Sequence, residues 1–131
     1  MDRDIEKQFV KDYIKKNKRE RIYYELSSKK KRKKAIGRFC HNALDCVDES
    51  KIKYYGTDIK IGVDGLILNR EKVGYLISWD DTIDGKMYKP NEAIEKMFNV
   101  GMATIVIFSN CCIIKTEQEF GMADMLILQC N

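Results

Sequence analysis

The spacing of apolar residues changes partway along the chain, and that change limits the folds open to it. Up to residue 48 they recur every three or four positions, the period of a helix with one buried face. From Lys51 onward they alternate with polar residues or gather in short runs, as strands do. Helices first and strands afterwards specify the α+β class, with helices laid on a mostly antiparallel sheet.

Three helices are predicted. Ile5, Phe9, Val10, Tyr13 and Ile14 place one over 2–16, with Asn17 as its stop. A short one follows over 19–26, with Ile22, Tyr23 and Leu26 inward. Ile36, Phe39, Cys40, Ala43, Leu44 and Val47 share one face of a third, over about 29–48, and Ser27 or Ser28 is its expected cap.

The strands are predicted at 51–55, 73–79, 86–88, 104–108, 111–116 and 125–130, with a hairpin over 59–69 turning at Asp64-Gly65. Asp84-Gly85 marks a second turn. Pro90-Asn91 opens an inserted helix whose inward face is Ala93, Ile94, Met97 and Phe98, and Gly101 follows its end. The expected architecture is a sheet of about six or seven strands covered on one face by the helices. At 131 residues the chain is read as one domain, 1–131, helical and basic over 1–48, β-rich and acidic over 51–131.

Charge follows the same division. Residues 1–40 hold 15 Lys or Arg against 6 Asp or Glu, a balance of +9, and the remainder holds 9 against 14, a balance of −5. The basic part peaks in an unbroken run of Lys29, Lys30, Lys31, Arg32, Lys33 and Lys34. Such a run is expected to stay in water or against something acidic, because unpaired buried charges are costly to dehydrate. At a helix N-terminus it also opposes the macrodipole, and local conflicts of that kind are found at functional sites. Arg21 and Arg38 lie near its edges. The run suits an acidic protein partner or a phosphate backbone, with Tyr13, Tyr23 and Tyr24 as bases' stacking surfaces in the second case.

Other constellations carry less. His41 has Arg38 three residues before it and Asp45 four after, one stripe on a helix, where a carboxylate can orient an imidazole. No nucleophile is placed beside it, so it reads as a helix-surface pair. The segment Asp80-Asp81-Thr82-Ile83-Asp84-Gly85 has partial calcium-loop spacing but lacks the closing Glu and the flanking helices, and reads as an acidic turn. A magnesium nuclease would use Asp64 with a Glu-x-Lys strand, yet the later strand reads Ile113-Ile114-Lys115. The five cysteines, Cys40, Cys46, Cys111, Cys112 and Cys130, contain no Cys-x-x-Cys pair and are expected to be reduced thiols. No metal and no cofactor is expected.

No apolar stretch approaches the roughly 20 residues of a membrane span, and residues 1–6 hold no apolar signal core, so a cytoplasmic location is expected. The expected function is a small non-enzymatic binding protein acting through an acidic protein partner, most concretely an immunity or antitoxin-type inhibitor of a toxin. The partner-binding residues would be Lys29, Lys30, Lys31, Arg32, Lys33, Lys34, Arg38 and Arg21, with His41 and Asp45 a further polar site. A nucleic-acid-binding protein using the basic segment is the alternative. An enzyme built around His41 is a third reading.

Overall fold

Asp2 starts the first helix as the spacing requires, its carboxylate accepting from the N–H groups of Asp4 and Ile5. In the computed structural model, which describes residues 1–57, 70–117 and 123–130, that helix is α1 (Arg3–Tyr13), followed by a 3-10 turn (Lys16–Lys18), α2 (Arg19–Ser27), α3 (Arg32–His41), α4 (Ala43–Cys46) and a second 3-10 turn (Glu49–Lys51). The strands are β1 (Ile52–Gly56), β2 (Gly74–Ser78), β3 (Met87–Tyr88), β4 (Thr104–Ile107), β5 (Cys111–Lys115) and β6 (Met125–Gln129), with α5 (Pro90–Phe98) inserted after β3. The predicted hairpin over 59–69, and Asp64 with it, lies outside the described residues.

The described strands form one antiparallel sheet in the order β1-β6-β5-β4-β2-β3. Its two faces are separated by the alternation of side chains. Tyr75, Ile77, Ile105, Cys112, Ile114, Leu126 and Leu128 turn toward the N-terminal helices, against Phe9, Ile22, Leu26, Ile36 and Phe39. Leu76, Val106, Ile113 and Ile127 turn the other way, against Ala93 and Met97 of α5. Helices therefore cover both faces, not the one face expected. The central strands read as unbroken apolar runs because they are buried on both sides.

Gly74 sets how closely α5 approaches. A Cβ there would lie 2.9 Å from side-chain atoms of Ala93 and Val106 and 3.0 Å from Phe108. Gly85, at φ 75°, takes the left-handed conformation that the turn before β3 demands.

The third predicted helix departs most from expectation. It begins at Arg32, and Ser27 and Ser28 do not cap it with their side chains. The Ser28 carbonyl instead accepts from the N–H groups of Lys31 and Arg32, at 3.2 and 2.8 Å. At Asn42 (φ −123°, ψ 30°) the helix breaks, because the chain must turn to join the end of α1. There Val47 bridges Ile14 as a short antiparallel pair, Lys15 N–H donates to the Cys46 carbonyl at 2.9 Å and Asp48 N–H to the Tyr13 carbonyl at 2.7 Å. The break leaves Leu44 in solvent, 40% exposed, although its spacing places it inward.

Candidate functional site

The basic run divides in two at Arg32. Its neighbours Lys29, Lys30, Lys31, Lys33 and Lys34 are exposed, whereas Arg32 is 5% exposed. The expectation that the whole run lies at a partner surface is corrected here, and the reason is pairing. Nη1 and Nη2 of Arg32 donate to the two Glu6 oxygens at 2.6 and 2.7 Å. Nε and Nη2 donate to Asp84 at 2.7 and 2.9 Å, and Nη1 also donates to the Leu26 carbonyl at 3.0 Å. These bonds use all five guanidinium donors, the condition under which an arginine can be buried. Burial opposes the charge, but the hydrogen bonds to Glu6 and Asp84 outweigh it and hold the Arg32 pKa above the ordinary arginine value. Tyr75 completes the cluster. Its hydroxyl donates to Glu6 at 2.6 Å and accepts from Asp2 N–H at 2.9 Å.

Arg32 thus ties α1, the end of α2, α3, β2 and the turn before β3 into one clasp. The five lysines around it project from a fixed base. Lys31 Nζ lies 5.1 Å from the Tyr24 ring centroid, and Lys33 Nζ lies 5.4 Å from that of Trp79 and 3.3 Å from Asp81.

A second arrangement joins the start of α2 to the end of α3, away from the turn that carries the lysines. Glu25 is buried on the inward face of α2 and accepts from Nε and Nη2 of Arg38 at 2.8 and 3.0 Å. Arg21 Nε stands 4.0 Å away. The hydrogen bond from Arg38 holds the Glu25 carboxyl below the usual carboxylate range, against the opposing effect of burial, with Arg21 and Lys34 adding to it. Arg21 and Arg38 border a cleft of about 390 Å³ together with Asn17, Lys18, Ile22, Asn42, Asp45 and Cys46. The structure therefore gathers Arg21, Arg38 and Asp45 from the sequence-derived set at one place, and adds Lys18 and Glu25, which the sequence reading passed over, together with Asn17, read there only as a helix stop, and Asn42.

Arg38 and His41 lie on α3 and Asp45 on α4, beyond the break at Asn42, so the three are not on one continuous helix. The His41 Nε2 lies 3.0 Å from Glu117, beyond the end of β5. His41 and Asp45 line a smaller cleft of about 290 Å³ with Tyr55, Thr116 and Asp124, where the Tyr55 hydroxyl meets Asp124 at 3.2 Å. The His41 side chain is more than half exposed.

The remaining sequence motifs are occupied structurally. The Asp80 carboxylate accepts from the N–H and hydroxyl of Thr82 at 2.9 and 2.7 Å, an acidic turn. Asp84 is taken by Arg32. Lys115 is buried, and its ammonium donates to the carbonyls of Val100, Met102 and Thr116. Burial lowers its pKa. Tyr13 is buried and unavailable for stacking, Tyr23 is half-buried, and Tyr24 is exposed with the Lys31 ammonium over its ring. No disulfide joins the five cysteines; burial, with Glu71 adding, pushes the Cys111 thiol up to about 12. Among the described residues no group of three or more His, Cys, Asp or Glu is arranged to hold a metal ion, and no helix is long and apolar enough to cross a membrane.

No protein-family model, curated protein or solved structure matches the chain.

Proposed function

We propose that this is a non-enzymatic binding protein that engages an acidic protein through the turn joining α2 to α3 and the outer face of those helices. An inhibitor of the immunity or antitoxin type is its most concrete form, because occluding a partner needs a shaped, charged face and no reaction of its own. The observation that carries the reading is the division at Arg32. One cation of the run is locked in the interior, and the flanking lysines stand in water on a base that cannot shift without breaking the clasp. Fixed, solvent-facing charge of one sign speeds association with an oppositely charged partner and limits the ordering cost of binding.

Base stacking has less support on this face than its three tyrosines suggest: Tyr13 is buried and Tyr23 half-buried, and Tyr24, 59% exposed, carries the Lys31 ammonium over its ring. The reading is tested by affinity capture with wild type and with the triple variant Lys29→Glu, Lys30→Glu, Lys31→Glu. The expected result is one acidic protein that, once purified, binds wild type more weakly as salt rises and binds the variant at least about ten-fold more weakly at low salt. Equal binding by both proteins would reject the face. A nucleic acid bound with a log–log salt slope near the number of phosphates neutralised would replace the protein partner with a phosphate backbone.

A further inference from the structure

We propose that the cleft bordered by Lys18, Arg21 and Arg38 is the anchor point of that face and receives a carboxylate side chain of the acidic partner. The proposal rests on the reading above and adds which part of the face grips and what it grips.

Five side chains supply unused donors at this cleft. Arg38 spends its Nε and Nη2 on Glu25, and its Nη1 donates to nothing among the described residues. A guanidinium has two edges, so an arginine tethered along one can still take a second carboxylate along the other. Among the described residues Arg21 makes only the 4.0 Å approach to Glu25, with its side chain 67% exposed. Among the described residues the Lys18 ammonium and the side-chain amides of Asn17 and Asn42 make no hydrogen bond. The cleft therefore combines three cations, two amide groups and the apolar surface of Ile22, against one carboxylate, Asp45, at its border.

Glu25 does not cancel that excess. It lies behind Arg38 and offsets one of the three positive charges nearest it, Arg21, Lys34 and Arg38. Its effect on Arg38 is to fix the orientation of the guanidinium before a ligand arrives, which reduces what binding must order. The volume of about 390 Å³ is at the small end of ligand clefts, about 300–1,000 Å³, and is suited to one or two side chains. A carboxylate is favoured over a backbone phosphate by the shape of the site. It is a single cleft bordered by α2, α3, α4 and the turn before α2, not a groove that tracks a strand, and among the described residues no aromatic ring lines it.

The test is a titration of the full chain with a capped glutamate hexapeptide, followed by NMR at the Arg21 and Arg38 Nε–H and the Asn17 and Asn42 amide signals. Those signals are expected to shift. The double variant Lys18→Gln, Arg21→Gln, which leaves the Arg38–Glu25 pair intact, is expected to weaken peptide binding about ten-fold. Asn42→Leu, which changes no charge, is expected to weaken it as well. Lys29→Gln, Lys30→Gln is expected to weaken it about three-fold, through slower association. If only this last variant weakens binding and the cleft signals stay still, the basic face stands and the anchor falls. If no variant matters, both fall. If inorganic phosphate or a duplex oligonucleotide shifts the cleft signals and the hexapeptide does not, the carboxylate assignment is wrong.

Discussion

Arg32 shows how much a single position can differ from neighbours of the same charge. Five lysines beside it lose nothing by staying in water, while Arg32 places one guanidinium between two carboxylates. Taking it away would strand Glu6 in the interior and Asp84 close to it. Arg32→Ala is therefore expected to destabilise the protein by about 3–5 kcal/mol. Arg32→Lys should recover little, because an ammonium cannot present two bidentate edges. Lys30→Ala should fall within about 0.5 kcal/mol of wild type. Urea unfolding of the three variants checks this, and equal midpoints for Arg32→Ala and Lys30→Ala would refute the clasp. The signal was present in the sequence but masked by the run. Arg32 stands three, four and seven residues before Ala35, Ile36 and Phe39, on their buried face, and Glu6 precedes Phe9, Val10 and Tyr13 by the same intervals. A charged residue in register with an apolar stripe points to a buried partner, and periodicity does not say which. Asp84, 52 residues from Arg32 along the chain, carries no such mark, since an Asp before Gly reads as a turn residue whatever it touches.

At the scale of the element, apolar spacing locates helices and strands well and their interruptions poorly. The predicted strands at 51–55, 73–79, 86–88, 104–108, 111–116 and 125–130 all form, shifted at their ends by a residue or two, and so do α1, α2 and α5. The break at Asn42 was not legible because Ala43, Cys46 and Val47 remain inward across it, held by the bridge to Ile14, so the stripe looks continuous. Leu44 alone betrays it. Phe39→Ala is accordingly expected to cost about 3–5 kcal/mol and Leu44→Ala no more than about 0.5 kcal/mol. A large loss at Leu44 would mean that α3 and α4 form one helix in solution. The second face of the sheet was hidden for a different reason. A helix of nine residues between strands can return to either face, and only Gly74 hints at close approach. Gly74→Ala should cost about 1–3 kcal/mol by pushing α5 from the sheet, read as a lower melting temperature with the sheet spectrum retained.

Across the whole molecule the charge division is a layer division. The basic N-terminal part forms the helical layer, and much of its compensation comes from carboxylates, some within that layer and some on the sheet side of it. Glu25 holds Arg38 from within; Asp84, Asp81 and Glu117 reach Arg32, Lys33 and His41 from the other part of the chain. This arrangement makes stability depend on pH with a definite sign. The Glu25 carboxyl, and with it Asp80 and Asp48 in their turns, titrates below its ordinary value in the folded protein. The unfolded chain, with ordinary values of about 3.9 for Asp and 4.3 for Glu, binds those protons first. Their stabilisation is complete above that range and is lost as pH falls through the lower folded values. Loss of negative charge then leaves the basic layer repelling itself. Glu25→Gln isolates one contributor. At pH 7 the variant should be less stable than wild type, since Arg38 loses its charged partner. At pH 3, below the ordinary glutamate value of about 4.3, the gap should narrow, because the unfolded wild-type chain has by then taken up the Glu25 proton that the folded pairing with Arg38 disfavours. Urea midpoints of the two proteins at both pH values decide it: a gap that stays constant on acidification would show that Glu25 acts through its shape and hydrogen bonds, and that its charge contributes nothing to holding the basic layer together.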